Sequence, residues 1–369
     1  MTSPATTGTQ TTSSTTQSGS VPSLPSIPFA YSDLSAPLPN WFNGAGPGGP
    51  GGPGGPGGSA IAADNTPATN PISDAGATLG RVLFYDTRLS STGTVSCSSC
   101  HIQSLGFGDT ARFSRGVAGV TARHTMSLAN SRFYARGHFF WDERANTLED
   151  QVLQPIQNPV EMGETLNGVV TKVAAANFYP PLFNAAFGSN AVTSTTISMA
   201  LAQFVRSMIS AGAKFDKAFA SGGPPNFAVL TPQEQQGQQI FVGQGGCAAC
   251  HSTNAMIADN IHDTGLDSTI TDVGTGNGQF KVPSLRNVGL RASFMHDGRF
   301  QTLQQVVQFY DSGVQPNPNL DRRLRAPDGT PKRLNLSQGQ RDALVAFLNT
   351  LTDSTFITAA KFSNPFSKP

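Results

Sequence analysis

Apolar positions recur at helical spacing in several separate stretches of the chain. Leu79, Val82 and Leu83 form a short apolar face ahead of Arg88, Leu89 and Ser90 and predict a helix where folded sequence begins, near residue 74. Ile197, Leu201, Phe204 and Met208 repeat every three to four residues and predict a longer helix over residues 197–219. Gly222, Gly223, Pro224 and Pro225 then break the chain. A capping box follows, with Thr231 as N-cap, Pro232 in the first turn and Glu234 three residues on, and its helix is expected to end at Gly243. Ser337 and Gln340 open a related box, followed by Leu344, Phe347, Leu348 and Leu351 on one face. Leu303, Val306, Val307 and Tyr310 share another face, which turns Tyr310 inward. Period-two alternation is scarce, so the reading is all-α, with helical units at residues 74–222 and 223–355 and a tail at 356–369.

The N-terminal stretch reads differently. Residues 1–28 are rich in Ser and Thr, and residues 44–58 are Gly or Pro at 14 of 15 positions. Such composition buries too little apolar surface to offset the entropy of ordering, so residues 1–73 are expected to form a disordered tether. In the first 80 residues the only charges are Asp33, Asp64 and Asp74. Lys+Arg number 24 against 23 Asp+Glu, a net charge of +1 that excludes nucleic acid as an expected partner. No run approaches the 18 or so apolar residues of a membrane span, and the N-terminus lacks the apolar core of an export signal.

All four cysteines fall in two short motifs 150 residues apart, Cys97-Ser98-Ser99-Cys100-His101 and Cys247-Ala248-Ala249-Cys250-His251. Two thiols three positions apart on a helical turn can form thioethers with the two vinyl groups of haem, while the adjacent histidine reaches the iron. A four-cysteine zinc site or redox disulfides are the competing readings. Zinc would leave two histidines unused and span 146 intervening residues. Two covalently bound c-type haems, one per unit, are the favoured reading, and that attachment chemistry implies a periplasmic or otherwise extracytoplasmic location, with the N-terminal tether suited to either a soluble or a membrane-anchored form.

From Leu79 to Leu351 the chain resembles the bacterial diheme cytochrome c peroxidase and MauG family. The resemblance rests on Leu79-Gly80 through Leu89-Ser90, on Phe140-Trp141-Asp142, and on residues 151–162, 280–288, 295–298 and 302–310. It implies two class I cytochrome c-like domains, with a peroxide haem held by His101 and an electron-transfer haem held by His251. By matching position, Trp141 lies between the haems, and Gln151, Pro155 and Glu161 form the pocket where peroxide binds. Taken alone, Glu161 reads as a turn carboxylate and Trp141 as a core aromatic. The implied reaction is reduction of hydrogen peroxide with electrons from a small cytochrome c or cupredoxin. The alternatives are MauG-like oxidation of aromatic residues on a partner protein, or a diheme electron carrier without peroxide chemistry.

Three departures from the family pattern bear on function. No histidine stands near Gly116, where typical members carry one that blocks the peroxide haem, so that haem is expected to be open; His124 is out of register. Tyr310 occupies the position of the usual methionine ligand of the second haem, as in MauG, with Met295 as rival. An oxygen ligand favours ferric iron. Finally, His124, Arg291 and Ser293 fill the positions of a calcium site, and an imidazole and a guanidinium suit a hard cation poorly, which leaves calcium doubtful.

Overall fold

The computed structural model describes residues 21–44, 59–221, 224–257 and 260–366. The first unit contains α1 (Asp74–Tyr85), α2 (Leu148–Gln157), α3 (Leu166–Ala175), α4 (Tyr179–Phe187) and α5 (Ser194–Arg206). The second contains α6 (Pro232–Val242), α7 (Leu303–Gln308) and α8 (Gln338–Asn349), and α9 (Ser354–Thr358) follows. One antiparallel pair, β1 (Ile261–His262) with β2 (Phe280–Lys281), is the only sheet among the described residues.

The two units repeat one packing device. α1 crosses α5 at Gly80, where a Cβ would lie 2.0 Å from the Ala200 carbonyl oxygen and 2.7 Å from Phe204 Cβ. α6 crosses α8 at Gly237, where a Cβ would lie 1.9 Å from the Ala343 oxygen and 2.7 Å from Phe347 Cβ. Only glycine permits backbones to approach so closely, and each crossing closes one wall of an apolar core. The capping boxes at Thr231 and Ser337 form as their sequences predict. No helix among the described residues is long and apolar enough to cross a membrane.

The helix expected over residues 197–219 ends at Arg206. Beyond it the backbone is taken by other partners. Ser210 N donates to Asn130 Oδ1 at 2.8 Å, and Ala211 N and Gly212 N donate to Asp353 Oδ2 at 2.9 and 2.7 Å. These contacts pull the chain out of the helix and across to the second unit, and a short 3-10 turn, Phe215–Phe219, resumes there. Apolar periodicity continues through Met208, but the helical hydrogen bonds do not.

The expected N-terminal tether is narrower than residues 1–73, and the C-terminal tail packs back on the fold through residue 366. The richest Ser/Thr and Gly/Pro segments, residues 1–20 and 45–58, lie outside the described residues, but residues 21–44 and 59–73 are packed on the folded units and are no tether. Their anchors are few and specific. Tyr31 and Phe42 are buried, the Tyr31 hydroxyl donates to the Lys361 carbonyl, and Phe42 meets Phe133 edge-on at 5.2 Å. The three early acids all serve here. Asp33 and Asp64 both pair with Arg132 (2.6 and 2.5 Å), and Asp74 accepts the N–H groups of Tyr31 and Ser32 at 2.8 Å each. The C-terminal segment returns to the first unit, where Phe356, Phe362 and Phe366 join its core and the Tyr85 hydroxyl donates to the Phe362 carbonyl at 2.6 Å.

Candidate haem sites

Each cysteine motif forms one 3-10 turn, Cys97–Ser99 and Cys247–Ala249. In both, the histidine N–H donates back to the first cysteine carbonyl at 3.0 Å, so the two sulfurs and the imidazole project from one turn. The ring orientation is fixed identically in the two. His101 Nδ1–H donates to the Phe107 carbonyl at 2.9 Å, and His251 Nδ1–H to the Met256 carbonyl at 3.3 Å. The accepting residues both sit in the left-handed region, Phe107 at φ 62° and Met256 at φ 54°, a strained conformation held by the surrounding fold. This arrangement leaves Nε2 unprotonated and free to ligate. Burial lowers the proton affinity of both imidazoles, that of His251 to about 4, so both are neutral.

Both motifs open into apolar cavities, and no residue lines both. Counted with their solvent-open mouths, the first cavity spans about 650 Å³ and the second about 1720 Å³. The four thiols are pushed up, first by burial, to about 12 for Cys97 and Cys247 and about 11 for Cys100 and Cys250. Thiols so raised are protonated and poor nucleophiles while nothing is bound to them. The two pairs also face different cavities, so they do not assemble a four-cysteine zinc site. A flat apolar group joined through both sulfurs and ligated by Nε2 fits each.

The first cavity brings together Gln151, Pro155 and Glu161 with Cys97, Cys100 and His101. Gln151 and Pro155 are one turn apart on α2, on the same face. α2 is capped at its C-terminus by Asn158, whose carbonyl accepts the N–H groups of Glu161, Met162 and Gly163, while its Oδ1 accepts that of Val160. Asn158 Nδ2 then donates to Glu161 Oε1 at 2.8 Å. The loop is held from the far side as well, since Val117 N and Ala118 N donate to the carbonyls of Glu161 and Val160. Burial is the main cause that raises the Glu161 carboxyl above its ordinary value, opposed by the positive charge of Arg144.

Gly116 lies under this loop. A Cβ there would stand 2.1 Å from the Val160 oxygen and 2.5 Å from Glu161 Cα. No histidine fits at this position without displacing the Glu161 loop. His124 lines the second cavity and donates from Nδ1 toward the Ala111 and Arg112 carbonyls at 3.2 and 3.1 Å, so it is no occupant of the first. Asn158 was not singled out by sequence reasoning; the only signal was its position inside the matched 151–162 stretch.

Trp141 lines the second cavity and not the first. It sits at the boundary of the units: its Nε1–H donates to the His124 carbonyl at 2.7 Å, and its own carbonyl accepts the Lys281 N–H at 2.9 Å. Beside it Arg123 bridges Asp142 of the first unit and Asp272 of the second, at 2.5 and 2.7 Å.

Tyr310 and Met295 both reach the wall of the second cavity with His251. α7 ends at Gln308, and Tyr310 stands in the π-helical turn that follows, Phe309–Gly313. Such turns rotate a side chain off the α-helical register and recur at functional sites. Burial raises the Tyr310 phenol well above its ordinary value, with the two nearby thiols adding to the effect. In an apolar cavity that phenol ionises only against a strong Lewis acid or cation.

Comparison with known proteins agrees with this geometry. Residues 74–222 match the family model for di-haem cytochrome c peroxidase, and residues 234–352 that for cytochrome c. The chain is 36% identical over 297 residues to a methylamine utilization protein MauG of Methylorubrum extorquens, covering 77% of this chain and 80% of that one. It is 33% identical over 275 residues to a cytochrome c551 peroxidase of Nitrosomonas europaea, covering 68% and 78%. The crystal structure of a MauG-like protein associated with microbial copper homeostasis superposes with a TM-score of 0.71 at 31% identity, covering 82% of this chain and 97% of that one. With a matching fold, two c-type haem sites and relatives of this length and identity, the chain belongs to the di-haem cytochrome c peroxidase and MauG family.

Proposed function

We propose that the protein reduces hydrogen peroxide to two waters outside the cytoplasm, taking up two protons and two electrons per peroxide, with a small cytochrome c or cupredoxin as electron donor. The observation that carries this reading is Glu161, a half-buried carboxylate of raised proton affinity held in the same apolar cavity as His101. When bound, the haems supply the redox chemistry, with peroxide reduced at the one held by His101 and electrons stored at the one held by His251.

The chain's own contribution is proton handling and positioning. Asn158 occupies Glu161 Oε1, which leaves Oε2 to take the proton from the near oxygen of peroxide and return it to the departing oxygen. A base of this kind typically contributes ~10²–10⁴ in rate. Gln151 brings a side-chain amide that can donate and accept in the same wall, and Pro155 keeps that wall apolar. Trp141 offers an indole at the boundary between the units as the route for electrons. The contact of Gly116 with the Glu161 loop supports a first site open without prior reduction.

Tyr310 supports a second reading. An oxygen ligand at the second haem disfavours reduction by ordinary cytochrome donors and favours MauG-like oxidation of aromatic side chains on a protein partner. One pair of measurements separates the readings. Pyridine haemochrome should return two covalent haems per chain. A reduced small cytochrome c should then be oxidised by peroxide in a catalyst-dependent way, two per peroxide. Two haems with no cytochrome turnover would favour the protein-oxidation reading, and no peroxide consumption with any donor would leave only an electron carrier.

A further inference from the structure

The wall of the second cavity carries a guanidinium that the protein does not neutralise. Arg291 lines this cavity together with Cys247, Cys250 and His251. Its Nη2 donates to the Ser284 carbonyl at 2.7 Å, and its Nε is shielded from solvent with no hydrogen-bond partner. Among the described residues no Asp or Glu lies within ion-pair distance of it. The one carboxylate that lines the cavity, Asp321, is committed elsewhere, to His262 at 2.7 Å and to Arg323 at 2.9 Å. Of the other cations that line the cavity, Lys281 spends its ammonium on the His138 carbonyl and on the faces of Tyr134 and Phe139, Arg323 pairs with Asp321, and Lys332 is partly exposed.

Arg291 is half-buried as a residue, with its Nε withdrawn from water, and proteins normally offset such a desolvated cation with an opposite charge. Arg291 is sufficiently desolvated that its proton affinity falls to about 10. Its charge also reaches His251 and His124, where it adds to the burial that keeps both rings neutral. A c-type haem brings two propionate carboxylates into its cavity, and a guanidinium fork is the side chain best shaped to take one in two parallel hydrogen bonds.

We infer that Arg291 is the counter-ion for a propionate carboxylate of the haem attached at Cys247 and Cys250, a tethered cation built into the cavity wall. Its role is to bind the haem edge and to set its potential. A fixed positive charge there stabilises the reduced, less positive centre. This inference rests on haem attachment at the second motif and not on peroxide chemistry.

The test is a spectroelectrochemical titration of the purified diheme protein, with peroxide absent, so a failure of the peroxidase reading leaves the result intact. Arg291→Met should shift one of the two one-electron waves downward by about a tenfold change in the oxidised-to-reduced ratio, which is about 59 mV, and leave the other in place. Arg291→Lys, which retains the charge, should keep most of the wild-type potential. Both waves unmoved in Arg291→Met, or a fall as large in Arg291→Lys, would overturn the inference. Should Arg291→Met and Arg291→Gln fail to retain the second haem, its retention in Arg291→Lys supports the pairing and its equal loss there refutes it.

Discussion

Glu161→Gln isolates the proton step with little structural disturbance. The amide oxygen of Gln can accept the bond that Asn158 Nδ2 gives to Glu161 Oε1 at 2.8 Å, and the loop's backbone bonds to Asn158, Val117 and Ala118 do not involve the side chain. The variant should therefore fold with two haems and unchanged resting spectra. Losing a positioned base costs ~10²–10⁴ in rate, or roughly 3–5 kcal/mol of barrier. The second-order rate of reaction with peroxide, followed by stopped-flow absorbance, should fall by that factor. The pH profile adds a second signature. Burial raises the Glu161 carboxyl, and only its ionised form acts as the base. The wild-type rate should therefore decline as pH falls through a value above the ordinary carboxylate range of about 4.3. That acid limb should be missing from the variant. A variant rate within about threefold of wild type, or an acid limb retained, would show that Glu161 is not the base.

Two further substitutions test the second site and the junction between the units. If Tyr310 ligates the second haem, Tyr310→Met should raise that haem's potential by roughly 0.1 V or more, within the ~0.8 V that axial ligands span; unchanged potential and low-spin spectrum in Tyr310→Phe would transfer the role to Met295. Asp353 accepts N–H groups from Ala211, Gly212, Thr355 and Phe356, and although burial opposes it, these bonds with those from the Thr355 and Ser210 hydroxyls hold its carboxyl below the usual range. Asp353→Asn should cost about 2–3 kcal/mol by leaving buried donors facing an NH₂, read as a lower Tm. Because the folded-state value is depressed, this stabilisation is present above the unfolded carboxylate pKa and lost as pH falls through the folded one, so the gap between wild type and variant should close in acid.

What the sequence made legible was local. The caps at Thr231 and Ser337 and the two cysteine-histidine turns need only residues within one helical turn of each other, and the structure forms all of them. The overextended helix and the N-terminal arm show where such reasoning stops. Residues 207–214 are recruited by Asn130 and Asp353, which lie some 80 and 140 positions away, and nothing in a helical repeat announces that competition. For residues 21–44 and 59–73, composition averages out a handful of anchors, Tyr31, Asp33, Phe42 and Asp64, that suffice to fix the arm on Arg132 and Phe133. The role of Gly116 is equally non-local: sequence shows a missing histidine, whereas only the fold shows the Glu161 loop pressed against the glycine. The sequence marks Arg291 only as a misfit at a calcium position; that its guanidinium lacks a carboxylate partner is visible only in the fold, because it depends on which carboxylates fail to reach it.

The most direct test of the account is addition of hydrogen peroxide to the fully oxidised protein, with no prior reduction, followed by absorbance and electron paramagnetic resonance. The resting protein should show one high-spin and one low-spin ferric haem, and peroxide should be consumed at once. Two low-spin haems at rest, with reactivity only after one-electron reduction, would contradict an open first site.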